Sequence, residues 1–226
     1  MGATLIADGR YDLTLTFYGE TPWLSLRTCA GLVQHGIVEP SWLAGVGAES
    51  LAEGAEIALH SPDGADITIK LSESECSFHM ADLNGPVASS PAAGPAQRYF
   101  AASRTLAWSA TWRYVFHDPT WGGCFQPAWP DIPSPFAGGQ GLLGGEAKFD
   151  FEGSANGPAF TVSLASAWVA PVSEPSPNAL LVAVSYYPGG EPEAVAAQFE
   201  ELDQVGQTVA GYASSVASRW IERGTQ

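Results

Sequence analysis

The sequence predicts an α+β fold, in which a curved, mostly antiparallel sheet of about eight to ten strands carries one long C-terminal helix packed across it. Two observations support this prediction. Segments that alternate apolar and polar residues recur between Tyr11 and Tyr187, and turn-forming residues separate them, which is typical of antiparallel strands. From Glu191 to Arg223 the apolar residues recur instead at steps of about three and four, as in an amphipathic helix.

The length of the chain is consistent with one domain. It has 226 residues, of which 46% are hydrophobic, and a chain of this size can bury a substantial core. We predict a single domain over residues 1–226, because strand-like patterning resumes after each irregular segment.

The first half of the chain contains the clearest strand patterns. From Tyr11 to Tyr18 apolar residues alternate with polar ones, which predicts a half-buried strand. Ala55 to Leu71 predicts a hairpin, because two alternating runs flank the turn sequence Ser61-Pro62-Asp63-Gly64. A third strand is predicted through Cys76, Phe78 and Met80.

The middle of the chain combines a predicted loop with the longest predicted strand. Residues 86–97 are rich in Pro, Ala, Ser and Gly and carry no charge, so we predict a flexible loop inside the domain. Arg98 to His117 then predicts a long strand with a bend or bulge. Arg104 shares the parity of the aromatic residues in this strand. Either its guanidinium points into an aromatic-lined face, or a bulge near Ala101 to Ser103 turns it outward.

Residues 119–145 have no strand or helix pattern, yet they contain the aromatic residues Trp121, Phe125, Trp129 and Phe136. Segments of this length without secondary structure are uncommon in compact domains and are often functional. Three roles stay open for this Pro- and Gly-rich loop: a lid over the mouth of the sheet, an anchor for another protein chain, or a plug at one end of the core.

The last strands precede the long helix directly. Glu146 to Glu152 and Phe160 to Trp168 predict a second hairpin, and Ala179 to Tyr187 predicts a final strand. The helix is predicted over residues 191–223, because Pro192 suits a first helical turn. Its apolar stripe consists of Val195, Phe199, Leu202, Val205, Val209, Tyr212, Val216 and Trp220.

The predicted helix also has a polar face and two glycines. Asp203, Gln207 and Ser214 are assigned to the polar face, opposite the apolar stripe. Gly206 and Gly211 each lower helix propensity by about 1 kcal/mol relative to alanine. We therefore expect them to mark places where the helix backbone closely approaches a neighbouring element.

The charge of the chain limits its partners. It contains 24 acidic and 9 basic residues, a formal net charge of -15. Such an excess repels the phosphates of nucleic acids and the surfaces of anionic membranes. Neither is expected as a partner.

The N-terminus and the cysteines bear on the compartment. The first residues lack a basic region followed by an apolar core, and no run approaches the ~18 apolar residues of a membrane-spanning helix. The three cysteines, Cys29, Cys76 and Cys124, cannot all pair with one another and form no CxxC motif. We therefore expect a cytoplasmic protein.

Reactive side chains do not form a recognisable motif. His117 and Asp118, with Cys124 nearby, come closest to a catalytic cluster, because histidine and aspartate can act as general acid and base. Their spacing matches no zinc site, and no glycine-rich phosphate loop occurs. We expect no metal and no cofactor, and the sequence leaves open whether the protein is an enzyme.

Three functions are compatible with these patterns. The first is a binding protein for an apolar or aromatic small molecule held between sheet and helix. The second is a protein–protein interaction or assembly subunit that uses residues 119–145, and the third is a small cyclase- or isomerase-like enzyme in the same cavity. The predicted ligand-binding residues are Arg104 as a polar anchor, Trp108, Trp112 and Tyr114 as walls, and Trp121 and Trp129 in the lid.

Overall fold

A computed structural model of the chain describes residues 10–20, 29–43, 56–60, 66–71, 74–91, 93–117, 146–151, 158–167, 179–189 and 201–224. The strands in these residues are β1 (Arg10–Glu20), β2 (Glu56–His60), β3 (Asp66–Leu71), β4 (Glu75–Asn84), β5 (Arg104–His117), β6 (Glu146–Phe151), β7 (Ala159–Ala167) and β8 (Ala179–Tyr187). The helices are α1 (Cys29–Gln34), α2 (Ala93–Ala102) and α3 (Leu202–Gly224), and short 3-10 turns cover Pro40–Leu43 and Val87–Ser89.

The strands form one sheet of eight, in the order β2-β3-β4-β1-β5-β8-β7-β6. Every neighbouring pair is antiparallel. The sheet is open and curved, and α3 packs against it, so the predicted fold class is confirmed. The predicted hairpins are the pairs β2 with β3 and β6 with β7.

One face of this sheet is apolar from strand to strand, because the side chains of a strand alternate between its two faces. Leu13 of β1 pairs with Met80 of β4 and with Trp112 of β5, and Trp112 pairs with Val184 of β8. None of these four side chains is more than 1% exposed. The opposite face is polar; there the Thr14 hydroxyl lies 3.1 Å from Nδ1 of His79.

Helices and turns cover the apolar face. The stretch that begins with α1 contributes Leu32 and Ile37, and α2 contributes Tyr99. The ring of Tyr99 lies against Phe17 and Phe78, with centroid separations of 5.5 and 5.7 Å. Helix α3 packs against β5, β8 and the Val87–Ser89 turn.

The prediction of a flexible loop over residues 86–97 is wrong. Val87–Ser89 forms a 3-10 turn, and Ala93–Ala102 forms α2. Alanine has the highest helix propensity, and Pro95 lies in the first turn, where a missing N–H costs no intrahelical hydrogen bond. Ala93, Ala96 and Tyr99 are buried at steps of three along the helix. The long strand therefore begins at Arg104 and not at Arg98.

Arg104 points outward at the start of β5, where its side chain is exposed. The register between β1 and β5 shifts after Tyr18, because Tyr18 pairs with Ala107 while Gly19 pairs with Thr105. A Cβ at Gly19, whose φ is +151°, would lie 2.2 Å from the Arg104 carbonyl oxygen. The irregularity lies at residues 105–107, a few positions beyond the predicted bulge, and only glycine fits opposite it.

Helix α3 spans Leu202–Gly224, and residues 190–200, which hold the predicted first part of the helix, lie outside the described residues. Leu202 and Val209 of the predicted stripe are buried. Tyr212 is 41% exposed, whereas Ala213 and Ala217 are fully buried. The buried face therefore includes Ala213 and Ala217, whereas the predicted stripe has Tyr212 and Val216 in this part of the helix. Small residues at the contact let the helix backbone approach the sheet.

Candidate functional site

A cavity of about 430 Å³ lies between α3 and the sheet. This volume is in the range of sites that hold small molecules. Its walls come from β1, β5, α3 and the connection between β4 and α2. The lining residues are Tyr11, Gly85, Pro86, Val87, Trp112, Tyr114, Asp203, Gly206, Gln207, Ala210 and Ser214.

The sheet side of this cavity is aromatic. Trp112 and Tyr114 are two residues apart on β5 and therefore point to the same face. Tyr11 comes from the adjacent strand β1, and its ring centroid lies 5.6 Å from that of Tyr114. Trp112 and Tyr114 are buried, while Tyr11 is half-buried. The pairing of β1 with β5 thus brings together three rings that are far apart in sequence.

The phenol of Tyr11 joins β1 to the residue that follows β4, at one edge of the cavity. Its hydroxyl donates a hydrogen bond of 2.7 Å to the carbonyl oxygen of Gly85, which follows β4. Burial, together with the carboxylate of Asp203, raises the pKa of Tyr11 to about 12. Burial, and to a lesser degree the neighbouring Tyr11, raises the pKa of Tyr114 as well. Both phenols are therefore uncharged at neutral pH.

The helix side of the cavity carries polar groups. Asp203, Gln207 and Ser214 follow one another at steps of four and seven along α3, so they share a helix face. Their spacing predicts a polar face of the helix, and in the structure that face borders the cavity. Oδ1 of Asp203 accepts a 3.0 Å hydrogen bond from the N–H of Ala88. This contact joins the first turn of α3 to the Val87–Ser89 turn.

The indole N–H of Trp112 is the unusual polar group of the cavity. Nε1 is buried, and the described residues offer it no hydrogen-bond acceptor. The adjacent backbone belongs to Gly206, where a Cβ would lie 3.3 Å from Nε1. Buried donors in proteins are nearly always paired, because leaving one unpaired costs about 1–3 kcal/mol.

The predicted ligand-binding residues do not all meet in this cavity. Trp112 and Tyr114 line it. Trp108 is 1% exposed and packs in the core against Tyr186, with ring centroids 5.6 Å apart. Arg104 is exposed and is not part of the lining. Trp121 and Trp129 lie outside the described residues.

The predicted catalytic pair is only partly within the described chain. His117 ends β5, opposite Ala179, and is roughly 16 Å along the strand from Trp112. Asp118 and Cys124 lie outside the described residues. Among the residues that are described, no group of three or more His, Cys, Asp or Glu side chains could hold a metal ion.

Sequence reasoning missed most of the helix side of the cavity. The spacing of Asp203, Gln207 and Ser214 defines a helix face, but nothing in the sequence says that an aromatic surface lies across from it. Gly206 was the one indication, because its low helix propensity predicts a close neighbour. Tyr11 could have been found as the first member of the apolar row of β1.

Comparisons with known proteins do not extend this description. No protein-family model matches the chain, and no curated protein or solved structure is significantly similar to it. None of the helices in the described part of the chain is both long and apolar enough to cross a membrane.

Proposed function

We propose that the protein binds an apolar or aromatic small molecule in the cavity between α3 and the sheet. The observation that carries this proposal is the cavity of about 430 Å³ that Tyr11, Trp112 and Tyr114 line on one side. Cavities of this kind, mostly apolar with a few converging polar groups, are the usual sites of small ligands. Aromatic rings supply large, rigid contact area for such a ligand.

Small residues of α3 keep the cavity open. Gly206 and Ala210 are one helical turn apart and both line it. Larger side chains at these positions would fill the space in front of Trp112 and Tyr114. The described lining contains no histidine, and Asp203 already accepts a hydrogen bond from Ala88. We therefore propose binding and not catalysis for this cavity.

Filling the cavity tests the proposal. Ala210→Leu adds a branched side chain to the cavity wall and keeps a good helix former in α3. Ser215→Leu adds the same side chain at an exposed position of the same helix and serves as the matched control. Binding of neutral naphthalene derivatives to the purified protein is measured by isothermal titration calorimetry, with circular dichroism to confirm folding.

The expected result is that wild type and Ser215→Leu bind at least one of these compounds, while Ala210→Leu binds it at least about tenfold more weakly. Folded Ala210→Leu that binds as tightly as wild type would place the ligand elsewhere. Native mass spectrometry of the freshly purified protein adds an independent reading, because a co-purified small molecule should be present on wild type and lost from Ala210→Leu.

The second candidate function is self-association through the edge strand β6. Among the described strands this one is at the edge of the sheet, and its Phe149 and Phe151 are 44% and 48% exposed. Beside it runs an apolar groove of about 300 Å³, whose lining includes Phe151, Phe160 and Tyr212. The backbone of an unpaired edge strand is a template for pairing with another strand. Residues 119–145, to which sequence analysis assigns the interaction, lie outside the described residues.

A second copy of the chain suits this edge because β6 is self-complementary. When two β6 strands pair antiparallel with Phe149 on the two-fold axis, Lys148 of each copy faces Asp150 of the other. Opposite charges across a strand pair are favourable. Sedimentation velocity should show a dimer for wild type and for Leu106→Lys, which changes another exposed apolar residue, and a monomer for Phe149→Lys. A monomeric wild type at high micromolar concentration would exclude this candidate.

A further inference from the structure

The buried indole N–H of Trp112 indicates which functional group a ligand of the cavity contains. An indole N–H can only donate a hydrogen bond, so its missing partner must be an acceptor. Among the described residues no acceptor is in reach of Nε1. The nearest wall is the backbone of Gly206, which has no side chain to supply one.

Three other polar side chains of the cavity already make hydrogen bonds within the protein. The hydroxyl of Tyr11 donates to Gly85, and Oγ of Ser214 donates to the carbonyl of Ala210 in its own helix. Oδ1 of Asp203 accepts from Ala88. The indole N–H of Trp112 therefore lacks a partner among the described residues. Because Nε1 is buried beneath the backbone of Gly206, an acceptor on a ligand reaches it only when this part of α3 moves aside.

The charge around the cavity favours a neutral acceptor on the ligand over an anionic one. Asp203 is the only charged side chain among the described lining residues, and it is negative. The whole chain carries a formal net charge of -15. A carboxylate or phosphate on the ligand would be repelled, and no lining cation offsets that repulsion. A neutral oxygen acceptor avoids this cost.

We propose that the ligand is an uncharged molecule with an apolar, largely aromatic skeleton and a carbonyl oxygen that accepts a hydrogen bond from Nε1–H of Trp112. This inference rests on the proposed function, since it assumes that the cavity is the binding site. The carbonyl pairs with the buried N–H, and the aromatic skeleton packs on Tyr11 and Tyr114.

Three probes of one skeleton test the inference: acetylnaphthalene, which carries a ketone, ethylnaphthalene, which is a hydrocarbon of similar size, and naphthoate, which carries a carboxylate. Their affinities are measured by isothermal titration calorimetry. The indole N–H resonances of protein labelled with ¹⁵N are recorded in parallel, and Trp112→Phe identifies the Trp112 signal by its loss. Should that variant fail to fold, Gly206→Ala identifies the signal, because it displaces the resonance of the adjacent indole.

The ketone should bind at least about tenfold more tightly than the hydrocarbon, and the carboxylate should bind most weakly. Only the ketone should shift the Trp112 N–H resonance strongly downfield, as a new hydrogen bond does. Trp112→Phe should bring the ketone and hydrocarbon affinities to within about threefold of each other.

The outcomes distinguish a wrong ligand class from a wrong binding site. Equal binding of ketone and hydrocarbon to wild type, with the Trp112 N–H resonance unshifted by the ketone, would overturn the ligand class while leaving the cavity as the site. Tightest binding of naphthoate would overturn it as well. If none of the three probes perturbs Trp112 or binds, the proposed function itself fails, and the inference fails with it.

Discussion

Gly206 of α3 lies against the N–H edge of the Trp112 indole, so close that a Cβ at residue 206 would be 3.3 Å from Nε1. Gly211, on the same helix, has no atom of the described residues within 4 Å of its Cβ position. Both glycines interrupt a helical pattern and are equivalent in sequence terms. The expected close approach is confirmed at Gly206 and wrong at Gly211, because only Gly206 faces a bulky ring on the sheet.

Alanine substitutions at the two glycines should therefore have different effects on stability. Gly211→Ala should raise the free energy of unfolding by about 0.5–1 kcal/mol, because alanine restricts the unfolded chain and favours the helix. Gly206→Ala raises helix propensity by the same amount, but its new methyl group must displace the Trp112 ring. We therefore expect the free energy of unfolding to stay unchanged or to fall. Urea unfolding of both variants measures the difference. An equal gain at both positions would show that the Trp112 ring accommodates a methyl group freely.

Asp203 should contribute to stability through the Ala88 N–H that it accepts. Asp203→Ala leaves this backbone donor without its side-chain partner and removes a negative charge from the first turn of α3, so we expect a loss of about 1–2 kcal/mol. Asp203→Asn keeps an acceptor oxygen and should lose less than half as much. Glu39→Ala, at an exposed glutamate, is the control for a change of net charge alone. Chemical denaturation gives all three values, and equal losses for Ala and Asn would assign the effect to charge and not to the hydrogen bond.

The thiol of Cys76 should be inert in the folded protein. Its side chain is fully buried on β4, and burial raises its pKa, so the reactive thiolate is scarce. In a protein with Cys29→Ser and Cys124→Ser, a thiol reagent such as Ellman's reagent should label Cys76 only as fast as the chain unfolds. Labelling should therefore accelerate with urea in parallel with the loss of circular dichroism. Rapid labelling in buffer without urea would contradict the burial of this residue.

The sheet could be predicted from the sequence because each strand and each turn is recognisable from residues that are adjacent in the sequence. Strand β1 shows its burial directly in the alternation of Leu13, Leu15 and Phe17 with threonines. The paired strands β2 and β3 flank a stretch whose sequence, Ser61-Pro62-Asp63-Gly64, is typical of a turn. Helix α2 could not be predicted in this way, because its Pro, Gly and Ala residues are also typical of loops. What decides its structure is the burial of Ala96 and Tyr99 against the sheet, which is a tertiary effect.

The cavity was even less accessible to sequence reasoning. Tyr11, Trp112 and Gly206 come from three elements that meet because β1 lies between β4 and β5 in the sheet and α3 packs against β5. Strand order of this kind is set by long-range packing, whereas hydrophobic periodicity reports only which face of an element is buried. The sequence shows the aromatic row of β5. It does not show which of these rings line the cavity and which pack in the core. Trp108 and Trp112 have the same parity and different roles.

Tyr11 should make stability depend on alkaline pH. Its pKa in the folded protein is about 12, above the ordinary value of 10.0, chiefly because it is buried and secondly because Asp203 is near. A raised pKa means that the folded state resists loss of the proton more than the unfolded state does. The stability that comes from the protonated phenol is therefore fully present below pH 10 and is lost as the pH rises towards 12.

Tyr11→Phe separates this effect from general alkaline unfolding. At pH 8 the variant should be less stable than wild type by about 1 kcal/mol, because it lacks the hydrogen bond to Gly85. Between pH 10 and 12 wild type should lose stability more steeply than the variant, so the gap between them narrows. Urea unfolding at intervals across this range measures the gap, with Tyr212→Phe on the exposed side of α3 as the matched control. A gap that stays constant to pH 12 would mean that the Tyr11 phenol ionises equally in the folded and unfolded chain, and that the contacts around it at the cavity edge are not formed in solution.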